Sequence, residues 1–141
     1  MDKLFVYSFG VIHDPETNKI LLYNWDSLPE SARIVRGWYF PGRMLTARSD
    51  ITVQDGLSSV IEEKTGLEVV VKGPIAVSQL PEFDGRLHVY HKCLPVEDSS
   101  VTVDENIARW IDPTPKNLRD YLKGRLDGDV EIYLEKKSRR L

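Results

Sequence analysis

The stretch from residue 38 to residue 67 carries charged side chains that could bind a metal ion or a phosphate. Glu62, Glu63 and Lys64 follow one another, and two arginines, Arg43 and Arg48, precede them. Carboxylate oxygens are the ligands that hard cations such as magnesium prefer. Guanidinium and ammonium groups bind phosphates directly. A divalent cation and a phosphate are therefore the two candidate ligands of this stretch.

A helix is expected to position Glu62, Glu63 and Lys64. Apolar or small residues recur along one face of it, at Val53, Gly56, Leu57, Val60 and Ile61. Thr52 is a suitable N-cap residue, and Gly66 supplies the left-handed conformation that ends a helix. The pattern predicts a helix from Thr52 to Lys64 whose apolar face packs on a sheet.

This stretch resembles the signature of the Nudix family, the hydrolases of nucleoside diphosphates linked to another moiety. The signature ends in R-E-U-x-E-E-x-G-U, where U is aliphatic, and it follows an aromatic segment that contains Pro-Gly. Residues 38–42 read W-Y-F-P-G, and residues 65–67 read T-G-L. The consecutive family glutamates then fall on Glu63 and Lys64. The other signature positions fall on Ile61 for the aliphatic residue, Ser59 and Val60 for the Arg-Glu pair, Ile51 for the earlier glutamate and Arg43 for a glycine.

The resemblance implies that most of the family's metal ligands are replaced. In the family, the positions of Val60, Glu63 and Lys64 share one helix face and hold magnesium with three carboxylates. Here Glu63 keeps its carboxylate, whereas Val60 cannot bind a cation. Two unit charges about 5 Å apart interact by roughly 3 kcal/mol at an effective dielectric near 20, so Lys64 turns an attraction of that size into a repulsion. We therefore expect magnesium binding to be weak or absent, with Glu63 and Glu62 as an incomplete set of ligands.

A second alignment shifts the family pattern by one residue. Glu62 and Glu63 then become the consecutive glutamates, and Asp50 becomes the earlier acid. This alignment needs an extra residue before the glycine that ends the helix, and it places Asp55 where the family prefers a small buried residue. We prefer the first alignment because it places Gly56 there.

A later segment also resembles the family. Residues 104–110 read D-E-N-I-A-R-W, which matches an acidic pair followed by an apolar-Arg-Trp strand. In some family members a glutamate in this loop acts as a base or a metal ligand. The resemblance therefore makes Glu105 a candidate catalytic residue beside Glu63. The alternative is that Glu105 is a solvated loop carboxylate.

The composition indicates an ordinary globular protein. The 141 residues suffice for a single domain with one core, and 41% hydrophobic and 29% charged residues are typical values. A formal net charge of −3 offers no general attraction for nucleic acid or an anionic membrane, so we expect a nucleotide-like small molecule as the partner. The lone cysteine, Cys93, is expected to be a buried thiol. The absence of a long apolar run and of a signal-peptide pattern predicts a cytoplasmic location.

The remaining patterns predict a mixed sheet with helices. Strands are expected over residues 4–12 and 19–24 as a hairpin, then over 68–71, 75–78 and 86–94. His88 and His91 should point to opposite faces of the last strand, where they cannot form a paired metal site. Thr114 and Pro115 should start a second helix, 130–137 fits a strand or a helix, and 135–141 should be a frayed basic tail. The resemblance spans nearly the whole chain and implies a single α+β domain over 1–141, the Nudix-type α/β/α sandwich.

Three functions are compatible with these observations. The first is a Nudix-fold protein that binds a nucleotide or phosphate-containing ligand, with hydrolysis weak or lost and with Arg43, Arg48 and Lys64 in place of the metal. The second is a divergent magnesium-dependent hydrolase of a nucleoside diphosphate derivative. It would combine Glu63 with Glu62, Asp50 or Glu105 as ligands. The third is a non-enzymatic interaction module, which would bind a macromolecular partner through the ligand cleft of the Nudix fold or through the segment 25–36. We prefer the first because the scaffold positions fit the family better than the chemical positions do.

Overall fold

The computed structural model describes residues 5–45, 52–78 and 86–138. In these ranges, a mixed sheet of seven strands carries helices on both faces. The strands are β1 (Phe5–Asp14), β2 (Lys19–Asn24), β3 (Trp38–Tyr39), β4 (Gly42–Met44), β5 (Val69–Ser78), β6 (Arg86–Pro95) and β7 (Ala108–Ile111). The helices are α1 (Val53–Thr65), α2 (Pro115–Leu122) and α3 (Gly128–Ser138). Short 3-10 turns at Trp25–Ser27 and Glu30–Ala32 shape the segment 25–36.

The central strand, β1, organises the sheet. It pairs in parallel with β6, and it pairs antiparallel with β4 and with the beginning of β2. β5 lies antiparallel to β6 at one edge, while β2 pairs with β3 and β7 at the other end. The predicted hairpin of β1 and β2 is confirmed. The prediction of two strands around Gly73 and Pro74 is wrong, because β5 continues through them and absorbs them as shifts in register.

The two faces of the sheet are covered by different helices. Helix α1 packs closely on one face, where a Cβ on Gly10 would lie only 2.8 Å from Cδ1 of Ile61. On the other face, the hydroxyl oxygens of Tyr39 and Tyr90 are 2.5 Å apart, and Tyr39 donates a hydrogen bond to the carbonyl of Arg125. Helices α2 and α3 add Leu118, Leu122, Val130 and Leu134 to the core. The α/β/α arrangement expected from the sequence is therefore present.

Helix α1 has the predicted ends and, except for Val53, buries fully or partly the residues predicted to lie inside. Thr52 Oγ1 accepts a hydrogen bond from the backbone N–H of Asp55 at 3.1 Å, and Gly66 has a φ of +83°. The buried residues of the helix are Gly56, Leu57, Ile61 and Thr65. Val53 was expected to lie inside as well, but it is 42% exposed. Because Val53 is the first residue of α1, its side chain covers the turn before the helix rather than the layer beneath it.

The segment 130–137, which fitted a strand or a helix, belongs to α3. Asp127 starts this helix, because its Oδ1 accepts hydrogen bonds from the backbone N–H groups of Asp129 at 2.8 Å and Val130 at 3.2 Å. Val130 and Leu134, one turn apart, are buried. Helix α3 continues to Ser138, so the first part of the expected basic tail is helical and the rest lies outside the described residues.

None of the helices in the described ranges has the length and apolarity that a membrane span requires. Cys93 is buried on β6, as predicted, and burial raises the pKa of its thiol to about 12. A thiol in this state is protonated at neutral pH, so Cys93 contributes packing rather than reactivity.

Candidate ligand-binding site

A cavity of about 340 Å³ lies where the segment 25–36, strand β4 and helix α1 meet, and we call it the helix cleft. Val60 and Lys64 line it from successive turns of α1, and Arg43 lines it from β4. Because the two helical residues are four positions apart, they lie on the same side of α1. The helix face to which the sequence resemblance drew attention is therefore a wall of this cavity.

Four cationic side chains line the helix cleft: Arg33, Arg43, Lys64 and Arg86. Each of these residues is half-buried. Among the described residues that line the cleft there is no carboxylate. In the described part of the chain, no carboxylate forms an ion pair with Arg43, Lys64 or Arg86. The cleft is thus strongly positive, although the whole chain has a formal net charge of −3.

The position of Arg43 depends on a glycine in the opposing helix. Arg43 pairs with Ser8 of β1, which directs its side chain towards the α1 face of the sheet. There the guanidinium lies against Gly56, and a Cβ on Gly56 would be only 2.4 Å from Nη1 of Arg43. Nε of Arg43 also donates a hydrogen bond to the carbonyl of Met44 at 3.3 Å. Gly56 therefore makes room for the guanidinium inside the site.

Arg33 holds the segment 25–36 in shape. Its Nε donates a hydrogen bond to the carbonyl of Leu28 at 2.9 Å, and its Nη2 donates one to the carbonyl of Asp26 at 3.2 Å. Its Nη1 lies 3.8 Å from the carboxylate of Asp26, which also accepts a hydrogen bond from the N–H of Gly37. Arg33 is consequently fixed by its own segment and presents a preorganised charge to the cleft.

Arg86 and Lys64 complete the set of four cations, Arg33, Arg43, Lys64 and Arg86, which we call the charged rim. Arg86 begins β6, and its guanidinium lies over the ring of Tyr7 on the adjacent strand, 5.7 Å from the ring centroid. Lys64 is in the last turn of α1, where a cation is favoured by the helix dipole. Both positions are fixed by regular secondary structure, because a strand register places Arg86 and a helix turn places Lys64.

The carboxylates proposed from the sequence lie outside the cleft. Glu62 and Glu63 are exposed on α1 and are not among the residues that line the cavity. Glu105 is exposed in the turn before β7, where its carbonyl accepts a hydrogen bond from Nε of Arg109 at 3.2 Å. Arg48 and Asp50 lie outside the described residues.

In the described part of the chain, the residues that line the helix cleft do not fit the magnesium ion that the fold family implies. Val60, Lys64 and three arginines offer no oxygen ligand to a hard cation, and Glu63 of the same helix is not part of the cavity lining. Throughout 5–45, 52–78 and 86–138, no group of three or more His, Cys, Asp or Glu side chains is arranged to hold a metal ion. We therefore assign no metal-dependent step to the described residues.

The histidines of β6 are in the core. His88 and His91 are buried on opposite faces, at 1% and 6% exposure. Burial lowers the pKa of both imidazoles, and the nearby Arg86 lowers that of His88 further. Both should therefore be neutral at pH 7. Because the sheet lies between them, they do not form a common site.

Two of the four cations were not assigned to this site from the sequence. Arg33 had a weak signal, since it lies in the segment 25–36 that was considered as a surface for an interaction partner. Arg86 had no local signal, because it reaches the cleft through the parallel register of β1 and β6. A contact between strands that are about 80 residues apart in sequence cannot be inferred from the local pattern around either one.

Solved structures with a similar fold include Nudix hydrolases. A Nudix hydrolase from Nitrosomonas europaea superposes with a TM-score of 0.70 at 17% identity, covering 99% of this chain and 75% of that one. The MutT protein of Methanosarcina mazei Go1 gives 0.62 at 17% identity, covering 99% and 96%. An ADP-ribose pyrophosphatase from Streptococcus suis 89-1591 gives 0.61 at 19% identity, covering 96% and 92%. The chain therefore has the Nudix hydrolase fold.

These similarities are structural rather than sequential. No protein-family model matches the chain, and no curated protein matches it at a significant level. At identities below 20%, the similarity to these three structures defines the fold alone. Function has to be inferred from the helix cleft itself.

Proposed function

We propose that this Nudix-fold protein binds a nucleotide or another phosphate-containing ligand in the helix cleft, and that its metal-dependent hydrolysis is weak or lost. The observation that carries the proposal is the charge of the cleft, which has four cations and no carboxylate among its described lining residues. Guanidinium and ammonium groups bind phosphate oxygens without a bridging metal. Arg48 is proposed as a further phosphate contact, although it lies outside the described residues.

The proposed binding mode replaces the metal with protein cations. In the Nudix family, carboxylates on the helix equivalent to α1 hold magnesium, and the magnesium in turn contacts phosphate. In the preferred alignment Lys64 corresponds to one of those positions, and Arg43 lines the same cleft. Each charge-assisted hydrogen bond from such a group contributes about 1.5–3 kcal/mol. Two or three direct contacts would therefore contribute about 3–9 kcal/mol without a metal ion.

The residues proposed as catalytic have a smaller role in this scheme. Glu63 and Glu62 remain candidate metal ligands, and Glu63 and Glu105 remain candidate catalytic residues. All three are solvent-exposed, and the four cations of the cleft oppose the approach of a magnesium ion. We therefore propose weak magnesium binding at most. A single domain and a cytoplasmic location also remain proposals.

Calorimetric titration with inorganic diphosphate tests the proposal directly. Binding should persist in the presence of a chelator and should weaken as the salt concentration rises. Lys64→Glu should weaken it at least tenfold, because the substitution removes an attraction and adds a repulsion of similar size. Lys136→Glu is the matched control, since Lys136 is also in the last turn of a helix and does not line the cleft. Equal losses for the two variants, or binding that requires magnesium, would contradict the proposal.

The same question can be tested by restoring the family pattern. The variant combines Ser59→Arg, Val60→Glu and Lys64→Glu. The last two make the cleft lining more negative by three charge units, one from Val60 and two from Lys64, and Ser59→Arg adds one positive charge outside the lining. The triple variant should lose diphosphate affinity and gain magnesium affinity, and it should be less stable without metal. If the folded triple variant gains no magnesium affinity, the cleft serves a different class of ligand.

Turnover assays separate this proposal from a divergent hydrolase. The native protein should hydrolyse ADP-ribose, NADH and nucleoside triphosphates negligibly with magnesium or manganese. Robust turnover that is abolished by Glu63→Gln or Glu105→Gln would establish the hydrolase instead. Turnover unaffected by either substitution would indicate a contaminating enzyme.

A further inference from the structure

Besides its four cations, the helix cleft is lined by apolar side chains, which we call the apolar wall. Trp25 and Tyr7 belong to this wall and are almost fully buried, at 3% and 7% exposure. Leu28, Ile34 and Met44 are its more exposed members. A ligand that fills the cleft must place an apolar part against these side chains while its charged part meets the cations.

The apolar wall offers few neutral hydrogen-bonding side chains. The indole N–H of Trp25 already donates to the carbonyl of Phe40 at 3.1 Å. Among the described residues that line the cleft, Ser31 and the hydroxyl of Tyr7 are the remaining neutral polar side chains. A nucleobase carries several donors and acceptors on its edge, and each one that is buried without a partner costs about 1–3 kcal/mol. The wall therefore suits a hydrocarbon better than it suits a base.

The size of the cleft points to the same class of ligand. Its volume of about 340 Å³ is near the lower end of the range of roughly 300–1,000 Å³ for small-molecule sites. A dinucleotide derivative would extend well beyond it. A diphosphate group with a short hydrocarbon body would fill it and would place two phosphates among four cations.

We propose that the preferred ligand of the helix cleft is an organic diphosphate with an apolar body, rather than a nucleotide. This inference rests on the proposed phosphate-binding function and names the ligand class within it. The diphosphate lies between Lys64, Arg43 and Arg86, and the apolar body lies against Trp25 and Met44. Binding involves no covalent step and no metal.

Titrations of three ligands that share a diphosphate group test this inference. Hexyl diphosphate, ADP and inorganic diphosphate should each be titrated in the presence of a chelator, with hexyl diphosphate below its micelle-forming concentration. Hexyl diphosphate should bind at least tenfold more tightly than either of the others. If ADP binds as tightly as hexyl diphosphate or more so, the inference is wrong and the proposed function stands. If none of the three binds, the proposed function fails as well.

A substitution on the apolar wall provides the second readout. Met44 is 42% exposed on the short strand β4, so Met44→Gln should leave the fold intact. It should reduce the advantage of hexyl diphosphate over inorganic diphosphate at least threefold. Ile132→Gln is the matched control, because Ile132 is a similarly exposed apolar residue on α3. Equal effects of the two substitutions would overturn the inference.

Discussion

Replacement of Gly56 by alanine should separate the stability of helix α1 from the geometry of the binding site. Gly56 is buried in the second turn of α1, but the group that it faces is the guanidinium of Arg43 rather than the sheet. A Cβ at this position would lie 2.4 Å from Nη1 and 3.3 Å from Cζ of Arg43. Because ordinary carbon contacts begin near 3.4 Å, the guanidinium must move by roughly 1 Å while the helix remains in place.

The expected effect on stability is small because two contributions oppose each other. Alanine in a helix interior is favoured over glycine by about 1 kcal/mol. Moving Arg43 weakens its hydrogen bond to the carbonyl of Met44, which contributes about 0.5–1.5 kcal/mol. The free energy of unfolding should therefore change by less than about 1 kcal/mol, or roughly 4 °C in Tm for a chain of this size. Gly56→Leu should instead cost about 1–3 kcal/mol, because a larger side chain cannot be accommodated by moving the guanidinium alone.

Ligand binding should respond more strongly than stability. Gly56→Ala should weaken inorganic diphosphate binding severalfold, since a displaced guanidinium loses its alignment with the phosphate. Chemical denaturation and calorimetry measure the two effects. Ser59→Ala is the control, because Ser59 is exposed on the same helix and does not line the cleft. In an Arg43→Ala background, Gly56→Ala should be stabilising by the full helix preference.

Two results would refute this reasoning about Gly56. A loss of more than about 2 kcal/mol for Gly56→Ala would mean that the surroundings of Gly56 are rigid. An identical effect of Gly56→Ala with and without Arg43 would mean that the contact between the two residues is unimportant. Either result would contradict the contact with Gly56 that defines the position of the Arg43 guanidinium in the cleft.

Three further predictions concern the core behind the site. Arg125 lies over the ring of Tyr39 and donates hydrogen bonds to the carbonyls of Leu122, Arg36 and Trp38. Arg125→Ala should lower the free energy of unfolding by about 2–4 kcal/mol in urea denaturation. Arg125→Lys should recover less than half of this loss, because one ammonium cannot reach three carbonyls. A loss below about 0.5 kcal/mol for Arg125→Ala would refute this prediction. Burial lowers the pKa of His91, so stability should be constant above about pH 6.5 and should fall as the pH decreases below it. His91→Leu should make this fall shallower. An unchanged pH profile would contradict the lowered pKa of His91. Burial raises the pKa of Cys93 and of Tyr39 to about 12, so stability should fall as the pH rises above the unfolded-state pKa values of 9.0 and 10.0, respectively. In a pH series of denaturation curves, Cys93→Ala should move the pH at which this fall begins from near 9.0 to near 10.0.

The scaffold was predictable because its signals are local. Thr52 and Gly66 define the ends of α1 by cap chemistry that involves only a few neighbouring residues. The second helix begins at Thr114 and Pro115 in the same way. The segment of α3 was ambiguous because Val130 and Leu134 alone fit either period. Its N-cap, Asp127, is the signal that would have identified it as a helix.

The charged rim was only partly predictable because its members come from four separate segments. Arg43 and Lys64 belong to the stretch that drew attention to the site. Arg33 is positioned by a network of hydrogen bonds within the segment 25–36, and Arg86 is positioned by strand pairing. The same limit applies to Gly56, whose spacing indicated a small residue facing the sheet, although its neighbour in three dimensions is the end of the Arg43 side chain.

The location of these charges also bears on the proposal that protein cations bind the ligand without a metal ion. Arg33 and Arg86 lie outside the stretch 38–67 that the sequence patterns indicated, and they line one cavity with Lys64 and Arg43. Several cations that line one cavity raise its positive potential, which favours an anionic ligand. Ligand binding should therefore stabilise the protein, and its Tm should rise with ligand concentration.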